Sequence, residues 1–187
     1  MTAVTVLQAF ARALQKVERE RVYHPELGVQ ERVLCYELYH QLRLLEEGGE
    51  FDWHPASIQG ELNKQAQHLF REEQAIPDFL VHQPGSHDHN LAVVEVKRAS
   101  APWNKIDGDV RKLARFADQL HYEERILVVF NSEGEGLDEI REDIVGSYVD
   151  GDTTLDVLFY DVRDGTVDHR QITYPAQPLD AARHQAG

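Results

Sequence analysis

The chain has 187 residues and a net charge of −14, from 19 basic and 33 acidic side chains. Its length suits one domain with a sizeable core, and no run of residues is apolar enough to suggest a signal segment or a membrane span, so a cytoplasmic protein is expected. Lone Cys35 excludes an intramolecular disulfide and fits a reducing compartment, while the acidic excess argues against tight, nonspecific binding of nucleic acid.

Residues 2–22 read as a helix with Val6, Phe10, Leu14 and Val17 on its apolar face, punctuated by Pro25 and Gly28. A second helix is expected from about Gln30 to Glu47, stopped by Gly48-Gly49, with Leu34, Cys35, Leu38, Leu42 and Leu45 as its stripe. Cys35 is thereby a small core residue. Glu31 projects to the middle of the same stripe, which leaves two readings: a carboxylate held close to other site groups, or a solvated first-turn residue favoured by the helix dipole.

Ser57 to Asn63 reads as a strand, followed by two further strands at residues 76–81 and 91–97, with a turn-rich loop between them. His82, His87, Asp88 and His89 fall in or beside that loop and lack the spacing of a structural zinc site, so an exposed polar turn is expected there. Ile106 to Tyr122 is the clearest amphipathic helix, carrying Ile106, Val110, Leu113, Ala117 and Leu120 on one face. Arg125 to Phe130 reads as a strand buried on both faces, and Gly136 to Tyr148 as a helix. Thr153 to Val162 and Thr166 to Tyr174 flank Arg163-Asp164-Gly165, a hairpin signal, and the tail from Pro175 is expected to be loose. Trp53 and Trp103 lie in loops, where packing at a rim is favoured over stacking on a base.

Charge patterning singles out one place. Alternation along a strand makes Glu95 and Lys97 project together while Val94 and Val96 point the other way. A carboxylate and an ammonium on one strand, facing Asp78 on its neighbour, form a compact site for a metal ion and a phosphate. Between Lys97 and Arg115 stand six basic residues (Lys97, Arg98, Lys105, Arg111, Lys112, Arg115) and two acidic ones, Asp107 and Asp109. This basic strip adjoins the candidate site and can focus a phosphate toward it. No Walker loop, dinucleotide-binding glycine fingerprint or nucleophile triad signature occurs.

The pattern Pro77-Asp78 followed by Glu95-Val96-Lys97 resembles the PD-(D/E)XK nuclease superfamily. The expected order, an αβββαβ core in an α/β fold with a mixed central sheet and flanking helices, an extra N-terminal helix (residues 1–28) and a C-terminal strand pair, is that of the restriction-endonuclease-like fold. The resemblance covers roughly Gln30 to Phe130 of a single 187-residue domain. It implies Asp78, Glu95 and Lys97 as catalytic residues, with Asp78, Glu95 and Glu31 as ligands of Mg²⁺ or Mn²⁺. Glu61-Leu62-Asn63-Lys64 is similar to a Glu-x-Asn-(Lys/Arg) element of some members, which makes Glu61 a rival to Glu31 in the metal shell. Asp109, Lys112 and Leu113 fall where related sequences carry Asp-x-x-Lys-Leu. Arg98, Lys105, Arg111, Lys112 and Arg115 are then the expected contacts to nucleic acid, with DNA the expected substrate. A non-catalytic module on the same fold, binding a protein partner, is the alternative, and a homodimer is compatible with either.

Overall fold

The computed structural model describes residues 4–60, 77–85, 89–132 and 136–175. Helix α1 (Val6–Gln15) and the single turn α2 (Arg19–Val22) lead into a two-stranded ribbon of β1 (Tyr23–His24) and β2 (Gly28–Val29), and then into the long helix α3 (Glu31–Glu47). Strands β3 (Ser57–Gly60), β4 (Phe79–His82) and β5 (Asn90–Arg98) follow, then α4 (Trp103–Leu120), β6 (Glu124–Phe130), α5 (Asp138–Ser147), β7 (Thr153–Asp161) and β8 (Thr166–Tyr174). Six strands make one mixed sheet in chain order, β3 to β8. Its first two pairings are antiparallel, β5/β6 and β6/β7 are parallel, and β7/β8 closes as a hairpin. The protein is therefore an α/β fold built on a mixed sheet with helices on both faces.

Handedness explains the layers. Two successive right-handed crossovers that step in the same direction across a sheet place their helices on the same face. Accordingly α4 and α5 cover one face, where Ile106, Val110, Leu113, Phe116 and Ile144 pack with Leu80, Val93, Leu127, Val129 and Val157. Helices α1 and α3 cover the other, packing Phe10, Leu14, Leu34, Leu38 and Leu42 on Phe79, Val94, Val96, Val128 and Leu158. Strands covered on both faces read as continuous apolar runs: Ile126 to Phe130 is wholly buried. Among the described residues, no helix is long and apolar enough to cross a membrane.

Several expectations are corrected here. The first helix does not run through residues 2–22. It ends at Gln15, and the chain turns through Val17, whose side chain is buried, before α2 begins. Thr5 and Gln8 form a reciprocal capping box at its start, and the Glu124 carboxylate accepts from Val6 N (3.0 Å) and Leu7 N (2.7 Å), fixing α1 to β6. Gly28, with φ of 63°, turns the β1–β2 ribbon where a Cβ would meet Ser132 Oγ at 2.1 Å. Helix α4 starts at Trp103, directly after Pro102, and so includes a residue expected in a loop. His82 is not in an exposed turn: it is the last residue of β4, buried, with Nε2 2.7 Å from Gln59 Oε1 on β3. His87 and Asp88 lie outside the described residues, as do residues 61–63 of the expected strand at Ser57 and the tail beyond residue 175.

The β7–β8 hairpin turns at Gly165, with φ of 75°, and Asp161 holds it. Its carboxylate accepts from Arg163 N (2.9 Å) and pairs with the Arg163 guanidinium. These hydrogen bonds keep the Asp161 carboxyl well below its ordinary range. A depressed acid contributes stability above its unfolded value, near pH 3.9, and loses it as the pH falls toward the folded value. Asp161→Asn is therefore expected to melt several degrees below the parent at pH 7, with the gap constant down to about pH 4 and closing in stronger acid. Thermal melts across that range check this.

Candidate functional site

Strand β5 changes partner type along its two edges, antiparallel to β4 and parallel to β6. Phe79 pairs with Val94, so Asp78, one residue earlier, stands beside Glu95. Asp78 Oδ2 accepts a 2.7 Å hydrogen bond from Val96 N, which locks its carboxylate to β5 before the strand pairing starts. Val94 and Val96 enter the core under α1 and α3. Glu95 and Lys97 take the other face and meet α4.

On α4, Asp109 and Lys112 are three residues apart on one edge of the apolar stripe formed by Ile106, Val110 and Leu113, and so face the same strand. Lys112 Nζ lies 2.8 Å from Glu95 Oε1 and 3.2 Å from Asp109 Oδ1. Lys97 Nζ lies 3.2 Å from Asp109 Oδ2 and 3.2 Å from Glu31 Oε1 at the first residue of α3. Six ionisable side chains from β4's leading edge, β5, α3 and α4 thus converge, drawn from both helical layers. Of the two readings of Glu31, its ion pair with Lys97 selects the one near the site.

Burial sets the electrostatics. The Glu95 side chain is 3 % exposed, and desolvation pushes its carboxyl well above the ordinary range; Lys112 opposes this, while Asp78 and Asp109 reinforce it. Burial also raises Asp78, against the hydrogen bond from Val96 N, with Glu31 adding to the rise. For the lysines burial works downward, but the carboxylates outweigh it. Asp109 and Glu31 hold Lys97 above its usual value, and Glu95 and Asp109 do the same for Lys112. Both ammonium groups remain charged at neutral pH. Glu95 Oε1 and Asp109 Oδ2 are buried and accept no hydrogen bond of good geometry, so the ammonium groups beside them supply charge without satisfying the oxygens' directional preference.

Fully ionised, four carboxylates and two ammonium groups leave an excess of two negative charges. All four acids are oxygen donors, the type that hard divalent cations prefer, and the two buried oxygens, Glu95 Oε1 and Asp109 Oδ2, have only the lysine ammonium groups beside them. In charge and donor chemistry the cluster suits Mg²⁺ or Mn²⁺. In arrangement it does not: among the described residues, no three His, Cys, Asp or Glu side chains converge in a geometry that holds a metal. Asp78 is turned to Val96 N, Glu95 to Lys112 and Glu31 to Lys97.

The basic strip is dispersed. Arg98 alternates to the opposite face and donates to Val29 O. Arg111 pairs with Asp107 (2.8 Å), and Lys112 belongs to the carboxylate cluster. Lys105 is exposed near the start of α4, and Arg115 is half-buried further along it. Glu61 lies outside the described residues. Trp53 is buried against Phe51, with ring centroids 4.1 Å apart, and Trp103 stacks on Tyr148 at 5.9 Å; both pack as expected. A separate surface groove of about 340 Å³ between α5, β7 and β8 pairs Arg141, Arg163 and Arg170 with Asp138, Asp161 and Asp168, leaving it without net charge. Asp109 was not expected as a site ligand, and Lys112 was expected to face substrate rather than Glu95. The i,i+3 spacing of the two beside a buried stripe is the signal that places them. Comparison with known proteins returns no match to a family model, a curated protein or a solved structure.

Replacing Lys112 with methionine removes the charge but keeps the stem, leaving Glu95 buried without its counter-ion. The expected cost is about 3 kcal/mol, most of it recovered when Glu95→Gln is added. Urea denaturation of the four members of this cycle in EDTA measures the coupling; strictly additive effects would contradict the pairing.

Proposed function

We propose that this chain is a metal-dependent phosphodiesterase acting on nucleic acid, with DNA as its substrate. The observation that carries this reading is the charge imbalance of the cluster: four carboxylates against two ammonium groups, on one sheet end, with the Asp78 and Glu95 carboxyls raised chiefly by burial. The element order α3–β3–β4–β5–α4–β6 and the placement of Asp78, Glu95 and Lys97 support the resemblance to the PD-(D/E)XK superfamily.

Asp78 and Glu95 would hold Mg²⁺ or Mn²⁺, with Glu31 at the edge of the shell. Such an ion would supply activation of water and neutralisation of charge on a phosphoryl group. Lys97 has a distinct part. An ammonium held above its ordinary pKa donates hydrogen bonds and cannot accept a proton, so Lys97 stabilises negative charge developing on phosphate rather than acting as a general base. Lys112 holds Glu95 in the state seen here, and cation binding at Glu95 requires the ammonium to withdraw. The lone thiol of Cys35 and the absence of paired cysteines suit action in the cytoplasm.

One observation favours the alternative, a binding module that does not cleave. The positive charge expected to grip nucleic acid is largely engaged within the chain, as Arg98, Arg111 and Lys112 show. The two readings separate in one experiment. Supercoiled plasmid and single-stranded DNA are incubated with the protein in Mn²⁺, Mg²⁺ or EDTA. Cleavage is expected only with metal, and is expected to fall at least about 10²-fold in Lys97→Ala that retains the parental melting temperature. Full activity in folded Lys97→Ala would refute the role of that residue. No cleavage and no Mn²⁺ binding would favour the module. Calorimetry adds a second readout: Lys112→Met is expected to bind Mn²⁺ at least tenfold more tightly than the parent, because the ion no longer competes with an ammonium.

A further inference from the structure

Ion pairing in the cluster forms a chain. Lys112 Nζ stands between Glu95 Oε1 at 2.8 Å and Asp109 Oδ1 at 3.2 Å. Lys97 Nζ stands between Asp109 Oδ2 and Glu31 Oε1, both at 3.2 Å. Charge therefore alternates along Glu95, Lys112, Asp109, Lys97 and Glu31, with Asp109 at the centre. Among the described residues it is the one carboxylate that two lysines share, one on each oxygen. Glu95 and Glu31, at the two ends, each pair with a single lysine, and Asp78 stands outside the chain on Val96 N.

That central place decides which acids a cation can take. An end acid is freed when one ammonium withdraws, whereas freeing Asp109 requires both to leave. Two details favour their staying. Asp109 and Lys112 are three residues apart on α4, so their contact is made within one helix and does not depend on the Lys112 contact to β5. Asp109 is 9 % exposed, and its Oδ2 accepts no hydrogen bond of good geometry although Lys97 lies beside it. Lys97 gives its hydrogen bond to Glu31 Oε1 instead. A buried acceptor without a hydrogen bond is unfavourable, so when a cation draws Glu31 away, the next acceptor for Lys97 is already in place.

We infer that Asp109 is a positioning residue and not a cation ligand: it is the carboxylate that both lysines keep when Mg²⁺ or Mn²⁺ takes Glu95 and Glu31. The inference rests on the hydrolytic reading of this site. Cation uptake then divides the cluster in two. Three carboxylates around a divalent ion carry one net negative charge, and Asp109 with two ammonium groups carries one net positive charge. The positive unit, anchored on α4 and β5, is the part that meets a phosphate.

Lysine-selective ¹⁵N labelling reads both ammonium groups directly. The chain has five lysines, and ammonium protons exchange slowly with water only where the group is buried and paired. The Lys97 and Lys112 side chains are 18 % and 23 % exposed, against 50 % for Lys16. Two slowly exchanging signals are expected in EDTA, assigned with Lys97→Met and Lys112→Met. Glu31→Gln and Glu95→Gln stand in for acids claimed by a cation, and each is expected to keep both signals. Asp109→Asn is expected to speed exchange at both lysines about tenfold or more, the effect of losing one charge-assisted hydrogen bond at each. Mg²⁺ at saturation, established by calorimetry, is expected to leave both signals in the parent. Loss of both as Mg²⁺ binds would make Asp109 a ligand and overturn the inference. So would Asp109→Asn that alters only one lysine, or Glu31→Gln that frees Lys97, a result that decides even if Asp109→Asn does not fold. A parent that binds neither Mg²⁺ nor Mn²⁺ but gives the expected EDTA results would overturn the hydrolytic reading and support Asp109 as the anchor of both lysines.

Discussion

Glu95 sits in the middle of β5 with both faces of the strand covered by helices, and removing a carboxylate from water costs several kcal/mol unless something compensates. Lys112 supplies that compensation at 2.8 Å. Much of the surrounding architecture serves this contact. Helix α4 packs Ile106, Val110 and Leu113 on the sheet, and that rotation turns Lys112 and Asp109, at the edge of the stripe, toward Glu95 and Lys97. The right-handed crossover from β5 to β6 places α4 on the face to which Glu95 points. A valine at position 95 would satisfy the same strand at lower cost, as Val93, Val94 and Val96 do. A buried charge offset by a neighbouring charge occurs in functional sites and in structural ion-pair networks alike.

The change from antiparallel to parallel pairing at β5 brings the groups together. Because β4 runs antiparallel, Asp78, the residue just before it, lies beside Glu95 toward the C-terminal end of β5, and not at the far end of the sheet. Because β6 runs parallel, the connection between them is long enough to hold a helix. Helix α3 contributes from the other layer only through its first residue, Glu31, while the rest of its inner face is committed to the core. The site is thus assembled from strand and helix positions, with the backbone N–H of Val96 as a fixed point. Rigid elements of this kind hold ionisable groups more closely than loops do.

What could be read in advance follows the strength of local patterning. Period-two alternation put Glu95 and Lys97 on one face, and helical periodicity set α3 and α4 to within a few residues. The mixed sheet with flanking helices followed from the order of those segments. The break after Gln15 was not legible, because Val17 continues the apolar spacing of α1 although its side chain is buried through a turn. His82 looked like a loop residue because the strand's end is decided by pairing with β3 and the Gln59 side chain, a contact 23 positions away. The basic residues after Lys97 looked like one strip in the sequence. Arg98 alternates to the opposite face of β5, while α4 turns Arg111 toward Asp107 and Lys112 toward Glu95. Linear proximity of charge does not survive the alternation of a strand or the pitch of a helix.

The proposed function requires the cluster to take up a divalent cation once Lys112 withdraws from Glu95, and anomalous diffraction from a crystal of the protein grown with Mn²⁺ addresses this directly. The account predicts an anomalous peak beside the Asp78 and Glu95 carboxylates, with the Lys112 ammonium drawn back from Glu95. A map with no peak there, and Lys112 still paired with Glu95 at saturating Mn²⁺, would contradict it.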